Sequence, residues 1–314
     1  MSRFRARATG VAAAGVLAVL LSACGSATGP ELATTPDSQG AVLALPTTTA
    51  APTPTPTSTA PPTPTTSRKP AATATRATPQ AAHQAAHQAG PAVAWTPAAA
   101  EEFSGAAVDR SRWNVYDSVG AFGNGRRTPD AVTQAGGLLT ITARPDDGGT
   151  SGGLGMTKGQ LYGRWEFRAR TDKGSGFGSA ILLWPDSDKW PDDGELDIME
   201  VPTADRTEAH TIIHYGGAAN KTFGTATPGD FSQWHTFAFE WLPDRMTSYI
   251  DGKKVFETTD KDLIPTVPMH ATIQLDQGPS AGWLPAPGDS TPAETTLQVD
   301  YMRVSTYPGA AAAG

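Results

Sequence analysis

From Trp95 onward the large apolar residues recur at every second position, in short runs broken by Gly, Pro, Asn and Asp. Residues 138–143, 162–170, 210–215 and 235–241 each place their apolar or aromatic side chains on one face of an extended chain. Runs at 246–250, 270–275 and 296–304 continue the series, and Asp251-Gly252 falls where a two-residue hairpin turn is needed. No window sustains a period of 3.6, so helices are expected to be few and short. Roughly 220 residues of serial strands without an internal repeat predict one all-β domain, a β-jelly-roll sandwich of two antiparallel sheets.

The core of such a sandwich needs aromatic residues, and their distribution limits where it can lie. Of 24 aromatic residues only Phe4 precedes Trp95, so residues 1–94 cannot build an aromatic core. Residues 94–314 carry 29 Asp and Glu against 18 Lys and Arg, a balance of −11 beside −7 for the whole chain. A nucleic-acid partner needs a clustered basic surface and is therefore not expected. A single cysteine excludes a disulfide framework and a cysteine-based zinc site.

The N-terminal third reads as an address and a spacer. Three arginines in the first seven positions precede a short apolar run that ends at Leu21-Ser22-Ala23-Cys24. A charged start, an apolar stretch too short to span a bilayer and a small-residue cleavage site describe a secretory signal over 1–23. Leu-Ser-Ala-Cys resembles the lipobox of bacterial lipoproteins, in which the cysteine becomes the lipidated first residue of the mature chain. Cys24 is thus the expected anchor to the outer face of the cell membrane, and an ordinary signal peptide with secretion is the alternative. Nine Pro and thirteen Thr fill 22 of the 34 positions from 46 to 79, a composition with little to bury. A disordered, extended Ala/Pro/Thr-rich linker is expected over 24–93, a folded domain over 94–308 and a disordered tail over 309–314. His83 and His87, four apart in an Ala/Gln context, read as solvated linker residues rather than a metal pair.

A bent sandwich offers a concave sheet, and one lined by aromatic and acidic side chains suits sugars. A sugar ring has an apolar C–H face that stacks on aromatics, and hydroxyls that need donors and acceptors. Trp113, Trp184, Trp190, Trp234 and Trp283 are the candidates for this lining, whereas Trp165 and Trp241, inside alternating strands, are expected in the core.

The densest chemistry is Glu195-Leu196-Asp197-Ile198-Met199-Glu200. On a strand Glu195 and Asp197 share a face, and Glu200 joins them only if a β-bulge at Ile198-Met199 adds a residue. Three crowded carboxylates cannot all ionise at their ordinary pKa values, so at least one proton is held at neutral pH. A retaining glycosidase needs such a set: one ionised carboxylate to attack the anomeric carbon, one protonated acid for the leaving oxygen. A calcium site or an acidic solvated edge is the competing reading. The apolar Leu196, Ile198 and Met199 argue instead for a central strand with its other face buried.

Glu-Leu-Asp-Ile-Met-Glu resembles the Glu-x-Asp-x-x-Glu signature of glycoside hydrolase family 16, in the bulged form of its laminarinases. The flanks resemble the family in order: Glu102-Phe103-Ser104-Gly105 with Arg112-Trp113, residues 163–170, Trp190-Pro191, His214-Tyr215-Gly216, residues 234–241 and residues 299–304. The resemblance implies a concanavalin A-like sandwich with a concave substrate cleft. It implies Glu195 as nucleophile, Glu200 as general acid/base and Asp197 as the carboxylate that tunes both. By the same analogy Trp190, His214, Trp184, Trp283 and Arg168 bind substrate. A structural calcium would sit at Asp300 with Glu102 nearby, and no cofactor is required for the reaction. The sequence departs from the family at Leu182, where an aromatic is usual with Trp184 displaced, and at Val201-Pro202-Thr203. The expected activity is endo-hydrolysis of β-1,3 or mixed β-1,3-1,4 glucan by a monomer. Action on a β-galactan, transglycosylation, and a non-catalytic sugar-binding module are the alternatives.

Overall fold

The computed structural model describes residues 93–309 except Ala281; the signal segment, Cys24, His83, His87 and most of the spacer lie outside these residues. Seventeen strands form two sheets. The first runs in the order β15 (Lys253–Thr258), β14 (Met246–Ile250), β13 (His235–Trp241), β8 (Gly163–Thr171), β17 (Thr295–Thr306), β6 (Leu138–Ala143) and β5 (Val132–Ala135). β1 (Thr96–Glu101) also pairs with β17. The second runs β12 (Lys221–Pro228), β11 (Glu208–Tyr215), β10 (Glu195–Val201), β9 (Phe177–Pro185), β16 (Met269–Gln277), β7 (Thr150–Met156), β4 (Arg126–Arg127) and β3 (Ser118–Val119). β2 (Trp113–Val115) also pairs with β7. Among the described residues the helical segments are 3-10 turns of three residues each.

The jelly-roll sandwich expected from the alternation is therefore present. All pairings are antiparallel except β4 with β7, which is parallel. The period-two pattern decides which side of each strand is dry. Along β8, Trp165, Phe167 and Ala169 point into the core while Arg164, Glu166, Arg168 and Arg170 face outward. Phe237, Phe239 and Trp241 of β13 join them, and Trp165 stacks on Trp241 with centroids 5.9 Å apart. From the second sheet Leu183, Leu196, Ile213 and Ile273 fill the other half of the same core. The hairpin between β14 and β15 turns at Asp251 (φ 51°) and Gly252 (φ 75°), as the Asp-Gly pair predicts.

Three sequence-derived positions are corrected by the fold. Trp113, a candidate for the sugar-binding lining, is 2% exposed and packs beside Phe103, because β2 directs it into the core. Trp234 lies just before β13 of the first sheet, with the guanidinium groups of Arg168 and Arg170 4.8 and 4.9 Å from its ring centre. Arg168 belongs to the outward face of that same sheet and pairs with Asp300 at 2.6 Å. Strand alternation puts it on the side of the sandwich opposite to the carboxylate cluster.

Candidate active site

β10 lies third from one edge of the second sheet, between β11 and β9. Its register explains how three acids come together. Asp197 pairs with Leu182 and Met199 with Ile181 on β9, so Ile198 is an extra residue with no partner of its own. Against β11, Asp197 pairs with Ile212 and Glu200 with His210, which again sets three residues against two. The bulge turns Glu200 back to the face that carries Glu195 and Asp197, as the sequence required. Leu196, Ile198, Met199 and Val201 are buried.

The far end of this strand is fixed by Arg206, which is fully buried and held in a left-handed conformation. Its guanidinium donates to the carbonyls of Val201, Thr203, Phe177 and Asp172 at 2.7–3.0 Å. Burial lowers its pKa to about 10, well within the range where it stays charged at neutral pH. It ties the loop after Glu200 to the start of β9, a role with no signal in the local sequence.

Burial sets the proton inventory. Glu200 is pushed up to about 8, first by burial and then by the charge of Glu195. Asp197, sealed from water, is held well above the carboxylate range by burial and by the charges of Glu195 and Glu200. Burial also raises Glu195, but His214, the Trp190 side chain and Asp197 all favour its ionised form. Of the three, Glu195 is the group with partners for a negative charge, and Glu200 is a carboxylic acid that keeps its proton near neutrality.

Around this cluster the expected aromatic lining is partly assembled. At the Glu195 end, Trp184 and Trp190 stack with centroids 6.1 Å apart and planes 14° apart, and His214 lies 6.2 Å from Trp190. Asp188 accepts the Trp184 indole N–H at 3.0 Å. Glu195 pairs across the sheet with His214. His214 Nδ1 donates to Asn220 Oδ1 at 2.9 Å, which directs Nε2 toward Asp197 Oδ2 at 3.5 Å. At the Glu200 end, Trp283 meets His210 edge-on at 4.6 Å. Trp184, Trp190, His214 and Trp283 therefore belong to this face, and Leu182, where an aromatic was expected, pairs with Asp197 beneath them.

Several polar residues of this face escaped the sequence reading. His210 lies across from Glu200, and Asn220 orients His214. Arg127 makes a bidentate pair with Asp276 at 2.7–2.8 Å and donates to Gln274 Oε1 at 3.1 Å. Tyr116 lies across β7, where a side-chain carbon on Gly153 would sit 2.7 Å from its ring. Its hydroxyl meets Thr272 Oγ1 at 3.2 Å. The signal was available in part: His210, Ile212 and His214, and His270, Thr272, Gln274 and Asp276, recur at period two on their strands.

Asp300 and Glu102, the carboxylates expected beside a structural calcium, are both engaged by arginines. Asp300 is paired with Arg168 and Glu102 with Arg303, each at 2.6–2.7 Å. Among the described residues no three His, Cys, Asp or Glu side chains gather as a metal-binding group.

Comparison with known proteins agrees with this fold. The model of glycosyl hydrolases family 16 matches residues 124–303. A β-glucanase of Rhodothermus marinus is 30% identical over 248 residues, 67% of this chain and 85% of that protein. A glucan endo-1,3-β-glucosidase of Cryptopygus antarcticus is 29% identical over 184 residues, 51% of this chain and 68% of that protein. The catalytic domain of an endo-1,3-β-glucanase (laminarinase) from Thermotoga petrophila RKU-1 has the same fold, with a TM-score of 0.62 at 24% identity, over 69% of this chain and all of that one. The family model spans more than half of this chain and includes the whole of the bulged strand, so the protein is a member of glycosyl hydrolases family 16, enzymes acting on O-glycosyl bonds.

Proposed function

We propose that this enzyme is a retaining endo-β-glucanase acting on internal β-1,3 or mixed β-1,3-1,4 linkages. The observation that carries the mechanism is the bulge at Ile198, which sets an acid with a pKa of about 8 on the same face of one strand as Glu195, the carboxylate with partners for a negative charge. In the first step the Glu195 carboxylate bonds to the anomeric carbon as the glycosidic bond breaks. The departing oxygen takes its electron pair and the proton of Glu200, and leaves as a neutral hydroxyl. Glu200, now ionised, accepts a proton from water as that water attacks the anomeric carbon and releases Glu195. Asp197, protonated beside Glu195, supports the nucleophile without adding a second charge.

The choice of glucan is supported by the names of the relatives and by the stacked Trp184 and Trp190, an apolar platform for sugar rings. The chain is read as exported and held to the outer membrane face through lipid on Cys24, on the strength of residues 3–24; Cys24→Ser should release it from the membrane fraction.

Replacing Glu195 by Ala tests the central claim. Hydrolysis of soluble β-glucan should vanish, and azide should restore turnover with an α-glycosyl azide as product, because the anion attacks where the nucleophile stood. Unchanged hydrolysis would overturn the assignment. Turnover of β-galactan in preference to β-glucan by the unmodified enzyme would overturn the substrate.

A further inference from the structure

The outward face of the first sheet carries a row of side chains that the carboxylate face does not use. His235 pairs with Ala169, so Trp234, the residue before it, stands beside Arg170. Arg170 pairs with Gln298 on β17, Gln298 with Thr140 on β6, and Thr140 with Thr133 on β5. These five side chains cross the sheet at right angles to its strands, over four interstrand steps or about 19 Å. Leu139, Ala169, Leu297 and Val299, their neighbours along the strands, are buried. The row therefore stands on a packed support and points away from the core.

Contacts within the row fix its polarity. The Arg170 guanidinium lies 4.9 Å from the centre of the Trp234 ring, and its Nε donates to Gln298 Oε1 at 2.8 Å. With its oxygen engaged, the Gln298 amide directs its NH₂ group along the sheet, where it donates to the Thr140 hydroxyl at 3.4 Å. Thr133 donates to the Thr140 carbonyl at 3.4 Å. Among the described residues, the terminal amino groups of Arg170 and the Trp234 indole N–H have no hydrogen-bond partner. Asp300, on the strand beside Arg170, is held by Arg168 instead.

Trp234 is half-buried on the outside of the sandwich, where there is no core to fill. An indole, a planar guanidinium, an oriented amide and two hydroxyls in line meet the needs of a chain of sugar rings: apolar C–H faces stack on the aromatic, and hydroxyls find donors and acceptors. The excess of 11 negative charges over residues 94–314 repels an anionic polymer, so the row suits a neutral one. We propose that this row is a second polysaccharide-binding surface, on the side of the sandwich opposite to the carboxylates, and that it takes an extended stretch of neutral β-glucan. The identity of the polymer rests on the glucanase reading. The row does no chemistry; it holds the enzyme on an insoluble glucan particle and so raises the concentration of chains at the cleft.

Adsorption to insoluble β-1,3-glucan is measured on Glu195→Ala protein, which leaves the polymer intact. Trp234→Ala and Gln298→Ala, each added to that protein, should weaken adsorption about tenfold. In the otherwise unmodified enzyme the same substitutions should lower sugar release from insoluble glucan about fivefold, while kcat/KM on soluble β-glucan stays within about twofold. Thermal midpoints verify folding, and Gln298→Ala, which removes no ring, gives the reading if Trp234→Ala does not fold. Adsorption absent from the Glu195→Ala parent, adsorption unchanged in the row variants, or equal losses on soluble and insoluble glucan would overturn the row while the glucanase reading stands. A wild-type enzyme that cleaves neither glucan would overturn the glucanase reading, and adsorption that still depended on Trp234 and Gln298 would uphold the row.

Discussion

Glu200→Gln should make this protein more stable while it inactivates the enzyme, and the gain should depend on pH. An exposed glutamate titrates near 4.5, and Glu200 in the fold near 8. Below pH 4.5 both the folded and the unfolded chain hold the proton, and the group contributes nothing. Between the two values the unfolded chain has released the proton and the folded one keeps it, so the unfolded state binds fewer protons and stability falls as pH rises. The separation of about 3.5 pH units corresponds to about 5 kcal/mol at most. Water reaching the cleft side of the carboxyl reduces this, and about 3 kcal/mol is expected by pH 8.5. Glutamine has the same shape and no charge to desolvate. Urea denaturation of both proteins at pH 4 and pH 8.5 reads the effect directly. The variant should gain about 3 kcal/mol on wild type at pH 8.5 relative to pH 4, or roughly 6–12 °C in thermal midpoint for a domain of this size. An equal difference at both pH values would refute the reasoning, because it would mean that Glu200 titrates alike in the folded and unfolded chains. The activity of the wild type should fall above pH 8 as the acid loses its proton.

Three further outcomes follow from single contacts. Asn220→Ala frees His214 Nδ1 and should lower kcat severalfold with little change in KM, and shift the acidic limb of the kcat/KM profile; a pure KM effect would show that Asn220 does not act through His214. Arg206→Met leaves four carbonyls without their donor and should cost about 3–5 kcal/mol in urea denaturation, whereas a loss under about 1 kcal/mol would show that the loop after β10 does not depend on it. Arg168→Ala should leave kcat/KM on β-glucan within about twofold, since it lies on the outward face of the first sheet; a tenfold loss would contradict that placement.

Much of the architecture was legible because a strand writes itself into sequence at period two. The runs at 235–241 and 246–250 coincide with β13 and β14, and the Asp-Gly turn with the hairpin that follows. Strands without that signature were not legible. β7 is Thr-Ser-Gly-Gly-Leu-Gly-Met, with glycines that look like loop punctuation, yet it is buried almost throughout: Gly153 and Gly155 leave room for Tyr116, and Gly152 for Val132 and Ile141. β12 is mostly exposed at the edge of its sheet, so nothing selects alternation along it. The sites divide in the same manner. The bulge could be inferred from the spacing of three acids and apolar neighbours, since only an extra residue puts Glu200 on the face of Asp197. Arg168 and Trp234 could not be placed, because the sequence says which residues share a face of a strand and not which sheet that strand joins.

The sequence by itself determined the alternating strands, the three carboxylates and the need for a bulge among them, since alternation and like-charge crowding are local properties of neighbouring residues. Only the tertiary structure decided which aromatic residues meet those carboxylates. Trp184 and Trp190 come together beside Glu195, Trp283 comes to the Glu200 end from a loop more than eighty residues later, and Trp113 turns into the core. The reason is that the environment of a side chain depends on what the neighbouring strands and the loops above them bring to it, and that order is fixed by the pairing of whole sheets. The same packing removes water from Glu200 and so turns an ordinary glutamate into an acid that holds its proton at neutral pH.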